Sequence, residues 1–398
     1  MELFFWLSLL LIFYTYLGYG LVLFLLVKIK ELFWKRRESK LADSLPEVTL
    51  FITAYNEEKI AELKIKNCRE LSYPSELLKI VWVTDGSNDK TMELLNKYPD
   101  VKVLHRPERR GKTSAMNRGM TFVESPIVVF TDANTMLNRE AILEIVKEFT
   151  DPMVGCVAGE KRVLSKEIDS AIAGEGIYWK YESTLKALDY RLYSAVGAAG
   201  ELFAVRKVLF EPMPADTLLD DFILSLRIAQ KGYKIAYCNK AFAMEAASLN
   251  MKEEEKRKVR IAAGGLQSIW RLRSLFNILR YGWLSFQFVS HRVLRWTLTP
   301  LLLFLLIPIN SILAFQGDPV YIGLFILQGL FYLMAITGYQ LEKKKVRNKL
   351  LFVPYYFVFM NINVMQGFIY ILKNNGSGTW EKAKRDDNND LSKLNGDI

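Results

Sequence analysis

Asp85, Asp132 and Asp221 each follow a short apolar run in a chain of 398 residues. Acidic residues at strand ends can hold a metal, a nucleotide and a proton acceptor around one cleft. Asp132 is followed by Ala133 and Asn134. Alternate residues of an extended turn face one side, so a carboxylate and an amide oxygen reach a hard divalent cation, Mg²⁺ or Mn²⁺, with diphosphate oxygens as its further ligands. Asp85 opens the run Asp85, Gly86, Ser87, Asn88, Asp89, which suits a tight turn beside a ligand and equally an Asx turn capping a helix. Asp220 and Asp221 precede apolar positions at helical spacing over residues 222–229. They read either as helix-capping acids or as a pair in which each carboxylate tunes the other's proton affinity for base catalysis. Gly111 and Lys112 stand at a helix entry, where a cation and backbone donors meet a pyrophosphate. The upstream glycine of a Walker loop is missing.

The elements that must position these groups are short strands alternating with amphipathic helices. Strands are predicted at residues 48–54, 78–84 and 126–131, and a helix at 113–119. In a parallel sheet the loops after these strands line one crevice, so their polar groups converge on one nucleotide. Residues 31–290 are long enough for one substantial soluble α/β domain. Around it lie uncharged stretches of spanning length: residues 3–27, 297–315, 319–341 and 350–372,. The expected organisation is an N-terminal membrane helix over 1–30, a catalytic domain over 31–290, a three-helix membrane region over 291–373 and a polar, disordered tail over 374–398. Residues 275–290 carry many large apolar groups and few charges; an interfacial helix lying on the membrane is expected there, with a buried domain helix as the alternative.

Lys and Arg exceed Asp and Glu by ten, 53 to 43. Much of the excess clusters beside the apolar stretches, at Lys28, Lys30, Lys35, Arg36 and Arg37 and at Lys343, Lys344, Lys345, Arg347 and Lys349. The positive-inside rule then puts both clusters and the catalytic domain in the cytoplasm, at a cell inner membrane. Lys382, Lys384 and Arg385 leave the side of the tail open. Juxtamembrane charge attracts anionic lipid, which makes membrane lipids the expected partner and excludes a nucleic-acid reading. Cys68, Cys156 and Cys238 lack paired spacing, and His105 and His291 are the only histidines. Neither a disulfide framework nor a zinc or His-based triad site is indicated.

As a set, these pieces resemble the family 2 glycosyltransferases, in particular the membrane-bound group that includes cellulose, chitin and hyaluronan synthases. The opening strand and turn correspond to Thr53, Ala54, Tyr55, Asn56 and Glu57, the first aspartate motif to Asp85 through Asp89, and the Gly-Lys-x-x-x-x-Asn piece to Gly111, Lys112 and Asn117. The Asp-x-Asp metal motif is Asp132, Ala133, Asn134, with its third position changed. The Thr-Glu-Asp motif is Leu219, Asp220, Asp221, and the Gln-x-x-Arg-Trp motif falls at Arg257, Lys258, Val259, Arg260, Ile261, where only Arg260 is kept. A Tyr-Trp-x-Tyr-Glu stretch stands at Tyr178, Trp179, Tyr181 and Glu182, before Gly197 and Gly200.

The resemblance implies a GT-A-type nucleotide-sugar-binding domain flanked by one N-terminal and three C-terminal membrane helices. It implies inverting transfer from a nucleotide diphosphate sugar, a UDP-sugar, to a lipid-linked or growing glycan. Asp221 is then the base, with Asp220 beside it; Thr53, Tyr55, Glu57 and Asp85 surround the nucleoside; Asp132 and Asn134 meet the diphosphate and its metal, where Lys112 and the catalytic Arg260 add positive charge. Ile261 in place of tryptophan removes an aromatic platform for the acceptor and speaks against a processive synthase, which stands as an alternative. A catalytically silent nucleotide-sugar receptor is the alternative from another class.

Overall fold

The computed structural model describes the chain apart from residues 35–40, 43, 165–169, 345, 347 and 375–398. Lys35, Arg36, Arg37, Lys345, Arg347 and the expected disordered tail beyond residue 374 lie outside the described residues. The strands are β1 (Val48–Ala54), β2 (Leu78–Asp85), β3 (Val101–Arg106), β4 (Ile127–Asp132), β5 (Thr135–Leu137), β6 (Val154–Leu164), β7 (Leu202–Arg206) and β8 (Lys234–Ala246). They form one sheet in the order β3-β2-β1-β4-β7-β6-β8-β5. β1 runs parallel to β2 and β4, and β2 parallel to β3. β7 is antiparallel to both β4 and β6. The register pairs Ala54 with Thr84 and Thr53 with Asp132, so the polar turns after β1, β2 and β4 leave the same edge of the sheet.

Alternation along the strands fills two cores. Phe51, Val81, Val83, Val128 and Phe130 face one side, where helices Lys112–Met120 and Asp220–Gln230 contribute Ala115, Met116, Phe222 and Ile223. Leu50, Ile52, Trp82 and Val129 face the other, against Ile65 and Cys68 of Ala61–Arg69 and Ile142 and Ile145 of Ala141–Glu148. Each fully buried large aliphatic contributes roughly 1.5–3 kcal/mol, so the strand ends are fixed from both faces.

Among the described residues four helices are long and apolar enough to cross a membrane: Glu2–Phe33, Leu298–Phe315, Pro319–Lys343 and Leu350–Lys373. Their apolar side chains stand largely outward, Leu3, Leu10, Leu327 and Leu372 among them. The first is joined to the α/β region by Tyr19, Leu23 and Val27, packed on Leu185, Leu188 and Leu192 of helix Ser170–Leu192. Lys30 Nζ then donates to the Arg191 and Leu192 carbonyls (2.9 and 2.7 Å), and Glu31 pairs with Arg191. Part of the basic cluster after the first helix therefore docks a helix end, where carbonyls lack intrahelical donors.

The last apolar helix lies along helix Met251–Arg271. A Cβ on Gly367 would sit 2.7 Å from Ala262 Cβ and 2.8 Å from Ala263 N. Gln366 Nε2 donates to Glu255 Oε1 at 3.1 Å.

A continuous interfacial helix over residues 275–290 is not what the chain forms. The stretch breaks into Arg273–Phe276, Ile278–Tyr281, Trp283–Phe288 and Val289–Val293. Asn277 Oδ1 caps the second piece by accepting from Arg280 N, and Gly282 at φ +50° ends it, a backbone conformation that favours glycine. Leu275, Leu284 and Phe288 enter the core while Ile278, Leu279 and Trp283 point outward.

Candidate active site

The turns after β1 and β2 are stitched into one wall. Asn56, at φ +52°, donates from its backbone to Ser87 Oγ, and its amide exchanges hydrogen bonds with Asn88 (2.8 and 3.0 Å). Glu57 N donates to Thr91 Oγ1 and Glu58 N to Asp89 Oδ2. Asp85 turns both carboxylate oxygens to the next loop, accepting from Arg110 N (2.9 Å) and Gly111 N (2.7 Å). Gly86 is held at φ +72° with the Arg109 backbone so close that a Cβ would lie 2.7 Å from its nitrogen. Arg109 thereby lies 4.0 Å over the Tyr55 ring, a cation–π contact. Asn117 clamps Met213 through both its amide groups (2.7 and 3.0 Å), which anchors helix Lys112–Met120.

These walls enclose a cavity of about 420 Å³. Thr53, Tyr55, Glu57, Asp85, Lys112, Asp132, Asn134, Asp220, Asp221 and Arg260, the residues expected to meet donor, metal or acceptor, line it, whereas the motif residues Asn117 and Gly197 do not. At its centre Lys112 Nζ is 2.8 Å from Asp132 Oδ1 and 3.6 Å from Asp220 Oδ2. Asp220 Oδ2 is buried with no hydrogen-bond partner. Asp220 and Asp221 occupy the first turn of helix Asp220–Gln230, where the helix dipole favours negative charge. Ser225 Oγ accepts from Ala198 N and donates to the Asp221 carbonyl, tying this helix to the loop that ends at Gly200. A Cβ on Gly200 would lie 3.3 Å from Lys112 Nζ and 3.5 Å from Asp221 Oδ2.

Three carboxylates thus share one ammonium in a partly dehydrated space. Burial first, and then the charge of Asp220, push the Asp221 carboxyl up to about 7, against the pull of Lys112. Burial also raises Asp132, with Lys112 opposing. For Lys112 burial acts downward, but Asp132 and Asp220 outweigh it and hold the ammonium above the ordinary lysine range. The side chains of Lys112 and Asp132 retain 36% and 30% exposure, so the cavity admits solvent and ligand. A carboxyl with proton affinity near neutrality in a cleft suits general-base work.

Asp132 and Asn134 offer hard oxygens at the end of β4. Lys112 already engages Asp132 Oδ1. Among the described residues no group of three or more His, Cys, Asp or Glu could hold a metal by itself. The donor set fits a divalent ion shared with diphosphate oxygens.

The opposite wall holds ion pairs that no sequence motif indicates. Lys161 pairs with Glu201 and Glu245; Arg257 reaches Glu245 at 3.6 Å and Lys258 reaches Glu254 at 3.3 Å. Against burial, Lys161 holds Glu201 well below the carboxylate range. Trp179 lies within 5.3 Å of Lys161 Nζ and 5.5 Å of Lys258 Nζ. Trp179 and Trp296 both line the cavity beside Ile261, so aromatic surface is present although Ile261 itself provides none. The helical spacing of Trp179, Glu182 and Lys186 was a usable signal for this wall; the position of Trp296, just before an apolar helix, was not. Met360 and Val364 of helix Lys349–Asn374 complete the lining from the apolar bundle.

Residues 49–212 match the family model described as glycosyl transferase family 2. The poly-beta-1,6-N-acetyl-D-glucosamine synthase of Staphylococcus aureus (strain COL) is 28% identical over 248 residues, 60% of this chain and 58% of that protein. The probable glycosyltransferase YdaM of Bacillus subtilis (strain 168) is 26% identical over 250 residues, 59% of each. The chain therefore spans less than two thirds of the length of these curated relatives. Among solved structures, mannosyltransferase PcManGT from Pyrobaculum calidifontis, in complex with GDP-Man and Mn²⁺, superposes with a TM-score of 0.71 at 21% identity, covering 93% of this chain and 99% of that one. That is a likeness of fold, and it extends over the apolar helices as well as the sheet. The silent-receptor alternative gains no support from these relatives. The match to the family 2 glycosyltransferase model thus falls on residues 49–212, in a chain whose fold is of the GT-A type.

Proposed function

We propose that the chain is a membrane-bound inverting glycosyltransferase that moves a sugar from a nucleotide diphosphate sugar, a UDP-sugar, to a lipid-linked or growing glycan acceptor. One observation carries this reading: Asp221, with its proton affinity raised to about 7, opens onto the same cavity as Lys112. Thr53, Tyr55, Glu57 and the turn ordered by Asp85 surround the nucleoside. Lys112 faces the departing diphosphate, and its ammonium neutralises charge that grows as the glycosidic bond breaks. Asp132 and Asn134 would hold a Mg²⁺ or Mn²⁺ ion, which would supply further neutralisation of the diphosphate. Asp221 accepts the acceptor's proton as the acceptor oxygen attacks the anomeric carbon, with Asp220 and Arg260 tuning the charge around it.

The catalytic region, residues 31–290, lies on the cytoplasmic side in this reading, with the helices of 1–30 and 291–373 in the inner membrane. Met360 and Val364 support an acceptor that arrives from the bilayer, because they put apolar helix surface at the edge of the reaction cavity. Purified chain in nanodiscs, given a panel of nucleotide sugars, Mg²⁺ or Mn²⁺ and lipid-linked acceptors, should release nucleotide and form a glycosylated lipid of inverted anomeric configuration. Nucleotide release with no acceptor-dependent product across the panel would defeat the proposal.

A processive synthase is the second reading, favoured by Trp179 and Trp296 in the cavity and by the synthase among the relatives. Product length separates the two. Addition of one or few sugars per encounter supports the first, and long polymer at early times with most acceptor untouched supports the second.

A further inference from the structure

Helix Ala61–Arg69 buries a lysine behind the turn that joins β4 to β5. Lys64 has no exposed surface and is not among the residues that line the cavity. Its Nζ donates to the Thr135 carbonyl at 2.6 Å and to Thr131 Oγ1 at 3.2 Å, so one ammonium holds both ends of the run Asp132, Ala133, Asn134. Further ties lead on from these partners. Thr131 Oγ1 donates to the Glu201 carbonyl at 2.9 Å, and Thr135 Oγ1 donates to the Asp132 carbonyl at 3.0 Å. The turn is thereby connected to the loop of Gly200 and Glu201, which lines another part of the cavity.

Packing alone does not call for an ammonium here. Desolvating the charge is unfavourable, and an apolar side chain of similar volume fills such a place as well, as Ile65 and Cys68 do on the same helix. Lys64 forms no ion pair with any described residue, and the carboxylate whose charge bears on it is that of Asp132. Burial pulls the lysine down to about 8, with Cys68 and Asp132 opposing, so at neutral pH it keeps its proton and donates to both oxygens. A short turn pinned at both ends presents Asp132 and Asn134 together. One helical turn on, Asn67 makes a tie of another kind: it exchanges hydrogen bonds with the Leu137 backbone, both 2.8 Å, in β5 beyond the turn.

We infer that Lys64 is the positioning residue of the metal-binding turn: by holding the Thr131 hydroxyl and the Thr135 carbonyl it sets the arrangement in which Asp132 and Asn134 meet one divalent ion. This rests on the reading of those two residues as the protein's ligands to the metal, and adds to it a residue that touches neither metal nor substrate. Asn67, on the same helix, holds the sheet and not the turn.

The test is Mn²⁺ binding by the full chain in phosphatidylcholine nanodiscs with UDP present and no sugar donor, read from loss of the free-ion EPR signal against empty nanodiscs with UDP. Lys64→Met should bind Mn²⁺ about tenfold to a hundredfold more weakly than wild type, the range that follows loss of a group supporting a metal ligand. Its affinity for UDP in EDTA should stay that of the wild type. Asn67→Ala should lower the thermal midpoint and leave Mn²⁺ affinity unchanged, which separates positioning from a general loosening of the fold. If Lys64→Met does not fold, Thr131→Val takes its place, removing the hydroxyl that Lys64 holds, with the same expected direction. Wild-type Mn²⁺ affinity in the variant, an equal loss in Asn67→Ala, or a matching loss of metal-free UDP affinity overturns the assignment. A wild type that binds no Mn²⁺ overturns it together with the metal reading, whereas a wild type that binds beside an unaffected variant overturns the positioning role alone.

Discussion

Two buried ionic clusters border the same cavity and are built on opposite principles. Around helix Ser170–Leu192, Glu182 is met by Arg292, Arg295 and His291, and Asp189 by His291, Tyr19 and Gln287. Around Lys112, three carboxylates share one ammonium and Asp220 Oδ2 has no hydrogen bond. In the first cluster each carboxylate meets more than one cation or donor, although Arg295 Nε and Nη2 and Gln287 Oε1 make no hydrogen bond. This cluster joins the N-terminal apolar helix, through Tyr19, to the segment that carries His291 and Arg295, and Glu182 is held well below the carboxylate range despite its burial, chiefly by Arg292. The second is short of positive charge, and that shortage helps lift Asp221. The carboxylates that hold this molecule together are met by an excess of cationic and donor groups; those around Lys112 are short of them.

The contrast breaks first, if it breaks, at Glu182. Glu182→Ala leaves Arg292 and Arg295 buried without their carboxylate, and unfolding in detergent should show a loss of about 3–5 kcal/mol. A loss under about 1 kcal/mol would mean that the Glu182 cluster does not hold the fold. Asp221→Asn should act the other way round. Turnover falls about a hundredfold or more, while the thermal midpoint stays or rises because a strained charge is gone. Near-native turnover would remove Asp221 as the base.

Lys112→Met should weaken nucleotide binding by about tenfold, read by calorimetry, since a charge-assisted contact to diphosphate contributes on the order of 1.5–3 kcal/mol. Unchanged affinity would take Lys112 off the donor. The smallest effect is a displacement of the pH profile. In the wild type activity should rise as Asp221 loses its proton near 7. Asp220→Asn removes a like charge, so that limb should move to lower pH; an unmoved limb would uncouple the pair. The stability sign is also fixed. Asp221 keeps its proton in the folded chain after the unfolded chain has released it at about 3.8, so its contribution declines as pH rises from there through about 7,.

The parallel strands and their polar turns were legible because apolar runs of strand length end in Asp, Gly, Ser and Asn at each crevice edge. The residues of one strand end lie close in sequence, so the groups around Asp85, Asp132 and Asp221 could be found by spacing. The wall of Lys161, Glu201 and Glu245 could not, since β6, β7 and β8 bring it together over long separations. One function of Asp85 was not legible: besides lining the cavity as expected, it orders the next loop by accepting from the Arg110 and Gly111 backbone. The stretch over 275–290 misled because apolar content carries no record of the breaks at Asn277 and Gly282.

The close seam between Gly367 and Ala262–Ala263 makes bilayer thickness a mechanical variable of the reaction. A spanning helix adapts to a thicker or thinner hydrocarbon layer by tilting. Here the helix that tilts has no side-chain cushion against the one that carries Arg257 and Arg260, so a lean in the membrane is delivered to the cavity wall as a displacement of cations. In the proposed transferase, lipid length as well as lipid chemistry would then act on the wall of the site.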